Sequence, residues 1–154
     1  MSTPMRISIE PQARREDVDT VVRGLRNFNT GFLGPPSLQP VQIFLRDGNQ
    51  EVVGGLLGHS VYQWMFIAKL WIAESIRGGG YGSALIDAAE AEARARGCIG
   101  IHLDTFEYQA RPFYEKHGFA LFGTLEGYPP GYRQFHLAKR LHNQPEEPLS
   151  LIHI

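Results

Sequence analysis

The sequence predicts an α/β (α+β) fold: a mixed, mostly antiparallel sheet of six to seven strands, flanked by about four helices. Three observations carry this reading. Short β-branched and aromatic runs alternate with segments of helical periodicity. A turn-flanked pair of alternating segments marks a hairpin near residue 48. A glycine-dense turn, Arg77-Gly78-Gly79-Gly80-Tyr81-Gly82, converts a strand directly into an alanine-rich helix.

Residues 6–9 alternate polar and apolar and read as a first strand, closed by Pro11. Over residues 14–28, Val18, Val21, Val22 and Leu25 recur at helical spacing, with Glu16 and Asp17 in the first turn, where carboxylates favour a helix. Gly31, Gly34, Pro35, Pro36 and Pro40 predict a loop. Val41, Ile43 and Leu45 then alternate with Gln42 and Arg46, and Asp47-Gly48-Asn49 turns the chain toward Val52-Val53. Residues 61–73 read as one long strand. Residues 83–96 form a helix in which Ile86, Ala89 and Ala93 face a sheet with Leu85 and Ala88 beside them, braced by Glu90–Arg94 and Glu92–Arg96 and ended by Gly97. A buried strand follows at 98–106, a short helix at 109–117, and closing strands at 119–125 and 132–141. The expected organisation is one domain over residues 1–141, followed by a loose, proline- and glutamate-bearing tail over 142–154.

The chain has 154 residues, enough for one domain with a sizeable core. Its formal charge is -1, from 15 basic and 16 acidic residues, which leaves no electrostatic footprint for nucleic acid or an anionic membrane. Cys98 is the single cysteine and reads as a small buried hydrophobe at the start of a strand. There is no signal-like apolar region at the N-terminus, and the longest apolar stretch is broken by Gln63 and Lys69, so the expected location is cytoplasmic. His59, His102, His117 and His136 lack metal-ligand spacing, and no metal is expected.

The glycine turn is the first chemical signal. Glycines let successive backbone N–H groups converge, a helix N-terminus adds partial positive charge, and Arg77 adds a charge-assisted donor. Together they suit a phosphate. Ser83-Ala84 after Gly82 excludes a P-loop, and Ser83 stands where a dinucleotide fingerprint needs glycine. A turn that binds nothing is the alternative on the glycines alone.

Arg77-x-x-Gly80-x-Gly82, following Leu70-Trp71-Ile72, resembles the pyrophosphate signature of the GNAT acetyltransferases. Residues 110–119, Ala110-Arg111-Pro112-Phe113-Tyr114-Glu115-Lys116-His117-Gly118-Phe119, are similar to that family's Ala-x-x-x-Tyr-x-x-x-Gly-Phe element. With the element order, the resemblance covers about residues 6–141.

The resemblance implies an N-acetyltransferase using acetyl-CoA as cosubstrate, with direct attack by a primary amine in a ternary complex. Backbone amides of Gly78, Gly79, Gly80, Tyr81, Gly82 and Ser83 would hold the pyrophosphate, and backbone groups of Leu70, Trp71 and Ile72 the pantetheine arm. Tyr114 would be the general acid for the departing thiolate, with a packing tyrosine as its alternative. Glu74, Asp104 and Glu107 are the candidate bases beside an unassisted water chain. Glu107 stands where many relatives carry asparagine, and Gln109 is the substitute candidate for its pantetheine contact. Residues 27–32 and 128–132 are the expected acceptor loops. The expected acceptor is a small-molecule amine; a protein or peptide acceptor and a non-catalytic acyl-CoA-binding module are the alternatives. A homodimer is compatible with the sequence, through the closing strands and Leu151-Ile152.

Overall fold

The computed structural model describes residues 3–141 and divides into two compact units at Pro36/Ser37. The first unit contains α1 (Arg15–Leu33). Residues 6–9 enter no strand, which corrects the expected first strand. Alternation alone does not make a strand: the segment has no ladder partner among the described residues, and Pro4 and Pro11 bracket it. The helix also outruns its expected end. Gly31 does not stop it; Gly34 does, with φ 76° and its N–H donated to Thr30 O, followed by Pro35 and Pro36. Residues 27–32, expected as a loop, are therefore helical, and Phe28 and Phe32 pair at 5.3 Å between ring centroids.

The second unit carries β1 (Gln39–Arg46), β2 (Val52–Val61), β3 (Trp64–Ile72), α2 (Tyr81–Ala95), β4 (Gly100–Phe106), α3 (Arg111–Lys116), β5 (Ala120–Glu126) and β6 (Arg133–Arg140). Six strands form one sheet in the order β1-β2-β3-β4-β6-β5, antiparallel except for β3 against β4. The first hairpin turns at Asp47, whose carboxylate accepts the N–H groups of Asn49 and Glu51. The long strand expected over 61–73 is two strands, because Tyr62 and Gln63 both take positive φ (51° and 64°) and reverse the chain. Neither is a residue type that announces such a turn.

The core lies between α2 and the sheet. Leu85, Ile86, Ala89 and Ala93 are buried against Val41, Leu56, Met65, Ile67, Ile101 and Leu103, whereas Ala88 is exposed. Complete burial of Ile86 contributes about 2 kcal/mol. Arg96 fixes the C-terminal end of α2 by donating to the carbonyls of Gln39 and Pro40 and to Ser60 Oγ, while its Nε meets Glu92. Glu90 reaches Lys139 of β6. Cys98 is buried as expected, and burial pushes its thiol pKa up, so it stays neutral. No described helix is long and apolar enough to cross a membrane.

One irregularity opens the sheet. Leu57 pairs with Lys69 but Gly58 pairs with Ile67, leaving Ala68 as the extra residue of a bulge in β3. A Cβ on Gly58 would lie 1.9 Å from Phe66 O, so only glycine permits the bulge. The parallel β3–β4 ladder ends there, at Ile67 and Leu103. Beyond it β3 pairs only with β2, β4 continues against β6, and a wedge opens between them.

Candidate active site

Two adjoining clefts occupy the wedge. The larger, about 720 Å³, runs from β3 across the glycine turn to α3. The smaller, about 250 Å³, is lined by Lys69, Asp104 and the floor of the wedge. Leu70, Thr105, Gln109 and Tyr114 line both.

The large cleft is built by the turn. After Ile72 the chain makes a short 3-10 turn (Glu74–Ile76), then Gly78 (φ 86°) and Gly80 (φ 83°) take left-handed conformations that side-chain-bearing residues disfavour. Gly80 is the N-cap of α2 and offers no side chain to its first N–H groups, which also have no intrahelical acceptor. The end of α2 facing the cleft is therefore a set of backbone donors with the positive end of the helix dipole behind them. Gly79 and Gly82 allow close packing: a Cβ on the first would meet the Tyr81 ring at 2.9 Å, and one on the second the Phe113 ring at 3.2 Å, so a side chain at either would displace a ring.

Along the other wall, the Ala73 N–H bonds to Val53 O of β2, so by alternation Leu70 and Ile72 turn their peptide groups away from β2 and toward the wedge. Arg77 Nε already donates to Ile72 O at 2.9 Å. Leu70, Trp71, Ile72, Arg77, Gly78, Gly80, Tyr81, Gly82, Ser83, Gln109 and Tyr114 all line the large cleft. Gly79, expected among the diphosphate-holding residues, is not in the cleft lining.

Tyr114 stands where the clefts meet. Its ring packs edge-on against Phe113 and Phe119, at 5.2 and 6.0 Å between centroids. Burial raises its phenol above the ordinary 10.0, so it remains a proton donor across the neutral range. Gln109 Oε1 accepts from Thr105 Oγ1 and from the Phe106 N–H, both at 2.8 Å, which ties the start of α3 to the end of β4.

The three candidate bases occupy different surroundings. Asp104 lines the small cleft. On the same sheet face His102 is held toward its neutral form by burial first and by His59, and the Asp104 charge opposes this while His136 reinforces it. Glu107 accepts from Arg133 Nη2 at 2.8 Å, from its Nε at 3.2 Å and from its backbone N–H at 3.0 Å. These bonds hold its carboxyl below the ordinary carboxylate range, a poor setting for taking a proton, and it lines neither cleft. Glu74 lies in the 3-10 turn, also outside both.

Sequence reasoning did not assign Ile76, Thr105, Ala110, Phe113 or Lys116 to the site, and all five line the large cleft. Phe113 was legible in the Ala-x-x-x-Tyr element as a position, but its packing on Gly82 needs the fold. His117, one of the four histidines without metal-ligand spacing, hydrogen-bonds Ser83 Oγ through its Nε2 at 2.9 Å, linking the end of α3 to the first turn of α2.

Comparison with known proteins gives the family and the fold. The profile of the Acetyltransferase (GNAT) family matches residues 10–119. A blasticidin-S acetyltransferase from Streptomyces morookaense is 44% identical over 92 residues, 59% of this chain and 68% of that protein. An acetyltransferase of Agrobacterium fabrum is 34% identical over 113 residues, 73% of this chain and 82% of its own. The crystal structure of an acetyltransferase from Bacillus cereus superposes with TM-score 0.80 at 30% identity, covering 87% of this chain and 98% of that one. The chain belongs to the GNAT acetyltransferase family, enzymes that draw their acetyl group from acetyl-CoA.

Proposed function

We propose that this enzyme acetylates a primary amine of a small molecule, by direct attack on acetyl-CoA in a ternary complex. The observation that carries this reading is Tyr114 at the junction of two clefts, one ending in the glycine turn and the other holding Asp104. The N–H groups of residues 78–83 bind the diphosphate, and Arg77 screens its charge. The peptide groups of Leu70 and Ile72 that face the wedge receive the pantetheine arm as a neighbouring strand would. The thioester then reaches the meeting point of the clefts, with the acceptor entering over Asp104.

Asp104 takes the proton that the alkylammonium must lose, directly or through one water. The freed nitrogen pair forms the C–N bond and the C–S bond breaks. Tyr114 gives its phenolic proton to the departing sulfur, the phenolate so formed regains a proton from the acylated nitrogen through water, and Asp104 releases its own proton to solvent, leaving an N-acetyl amine and free CoA thiol. The name of the Streptomyces relative supports a small-molecule acceptor, since blasticidin S is such a molecule.

The test is thiol release across a panel of primary amines. Tyr114→Phe should lower kcat about 100-fold with little change in acetyl-CoA affinity, within the range for loss of a general acid. Asp104→Asn should lower kcat/KM about as much at neutral pH. Unchanged turnover in both variants removes these roles, and no heat of acetyl-CoA binding removes the donor site.

A further inference from the structure

The end of β4 and the β5–β6 loop carry an aromatic surface that the donor clefts do not use. Phe106 stacks on Tyr108 at 5.4 Å, with 12° between planes, and on Tyr128 at 5.7 Å, with 17°. Tyr132 meets Tyr108 edge-on at 5.4 Å. Three of the four rings remain about half or more exposed: Tyr108 66%, Tyr128 45% and Tyr132 46%. The loop that presents two of them is fastened to itself, the Tyr128 N–H donating to Tyr132 O and the Tyr132 N–H to Pro129 O. Glu107 and Arg133, next in sequence to Phe106 and Tyr132, pair at 2.8 Å, so their charges offset one another.

β4 links this surface to Asp104, which lines the small cleft. Phe106 and Asp104 are two residues apart on β4 and therefore share a face, roughly 7 Å apart along the strand. A flat ring resting on the tyrosines would hold a nitrogen beside Asp104 only if a short chain of about two to four atoms joined them. Stacking suits a π face and discriminates against a saturated ring of the same size.

From this juxtaposition we infer that the acceptor is an amine carried on a flat aromatic or heteroaromatic ring, stacked on Tyr108 and Tyr128 with its amino group over Asp104. The inference rests on the acetyltransfer reading and names its substrate class. Tyr108 and Tyr128 then determine specificity, while Asp104 keeps its role as base.

The experiment compares 3-phenylpropylamine with 3-cyclohexylpropylamine, which match in length and charge and differ in the π face. The parent enzyme should favour the phenyl compound about fivefold in kcat/KM, the scale of one aromatic pair. Tyr108→Leu and Tyr128→Leu, which keep apolar bulk, should each bring the ratio toward one and leave the KM for acetyl-CoA in place. Equal rates in the parent, or an undiminished ratio in both variants, overturn the inference while leaving acetyltransfer intact. Should neither amine turn over, the acetyltransfer reading fails for this class, and calorimetry of both amines against the CoA-saturated protein decides the ring preference by the same ratio. Sedimentation of the parent and of Tyr108→Leu adds a further check. A dimer that the variant dissolves would give the tyrosines to a second copy of the chain and also overturn the inference.

Discussion

Replacing Gly58 by alanine adds one methyl group at the point where the sheet opens. An ideal Cβ there lies 1.9 Å from Phe66 O and 3.2 Å from Ile67 Cα, both backbone atoms that no rotamer change can move aside. Relief requires the bulge at Ala68 to shift or β2 to part from β3, so the cost sits at the upper end of the range for overpacking, about 3 kcal/mol. For a chain of this size that is a fall in Tm of about 6–12 °C. The informative control is Gly123→Ala on β5, where an added Cβ meets only His136 at 3.8 Å, an ordinary contact. It should melt within about 2 °C of the parent, as a change of up to 0.5 kcal/mol allows. Differential scanning calorimetry gives both numbers, and thiol release on the folded fraction gives the functional consequence. Because the bulge sets where β3 leaves β4, Gly58→Ala should also lose kcat/KM below its melting transition. If the Gly58 variant melts with the parent and turns over normally, the account of the wedge is wrong.

Two further perturbations probe other parts of the account. Gly80→Glu should abolish acetyl-CoA binding by calorimetry, whereas Gly80→Ala should keep measurable affinity: both place a side chain at φ 83° in open space, and only the first brings a carboxylate to the diphosphate. Equal affinities would mean that the phosphates lie elsewhere. For Glu107 the sign follows from its depressed pKa. The Arg133 contacts contribute stability above the ordinary carboxylate pKa, and that contribution is lost as pH falls through the lowered folded value. Glu107→Gln should therefore lower Tm at neutral pH and show a shallower acid decline than the parent, and parallel Tm–pH curves would refute the pair's role.

Much of the site was legible because its signals are local. The glycine turn, the strand before it and the Tyr114 element each lie within about ten consecutive residues, and the backbone donors follow from the glycines together with the helix that opens at the turn. The hairpin at Asp47 was legible for the same reason. What escaped depends on pairing between distant segments. The Tyr62-Gln63 turn is imposed by the registers of β2 and β3 on two residues with no intrinsic preference for positive φ. The bulge at Ala68 is visible only against Gly58, and without it the parting of β3 and β4 has no cause. The three candidate bases looked alike in sequence; 26 residues separate Glu107 from the arginine that occupies it. At the N-terminal end the errors ran the other way. Strict alternation suggested a strand at residues 6–9 where none forms, and Gly31 suggested an end to a helix that its neighbours carry to Gly34.

The most direct test is a crystal structure of the protein with acetyl-CoA. The account predicts the diphosphate within hydrogen-bonding distance of the amides of residues 78–83, the pantetheine arm alongside Leu70 and Ile72, and the thioester sulfur next to the Tyr114 hydroxyl. A nucleotide bound away from the glycine turn, or a sulfur out of reach of Tyr114, would contradict it.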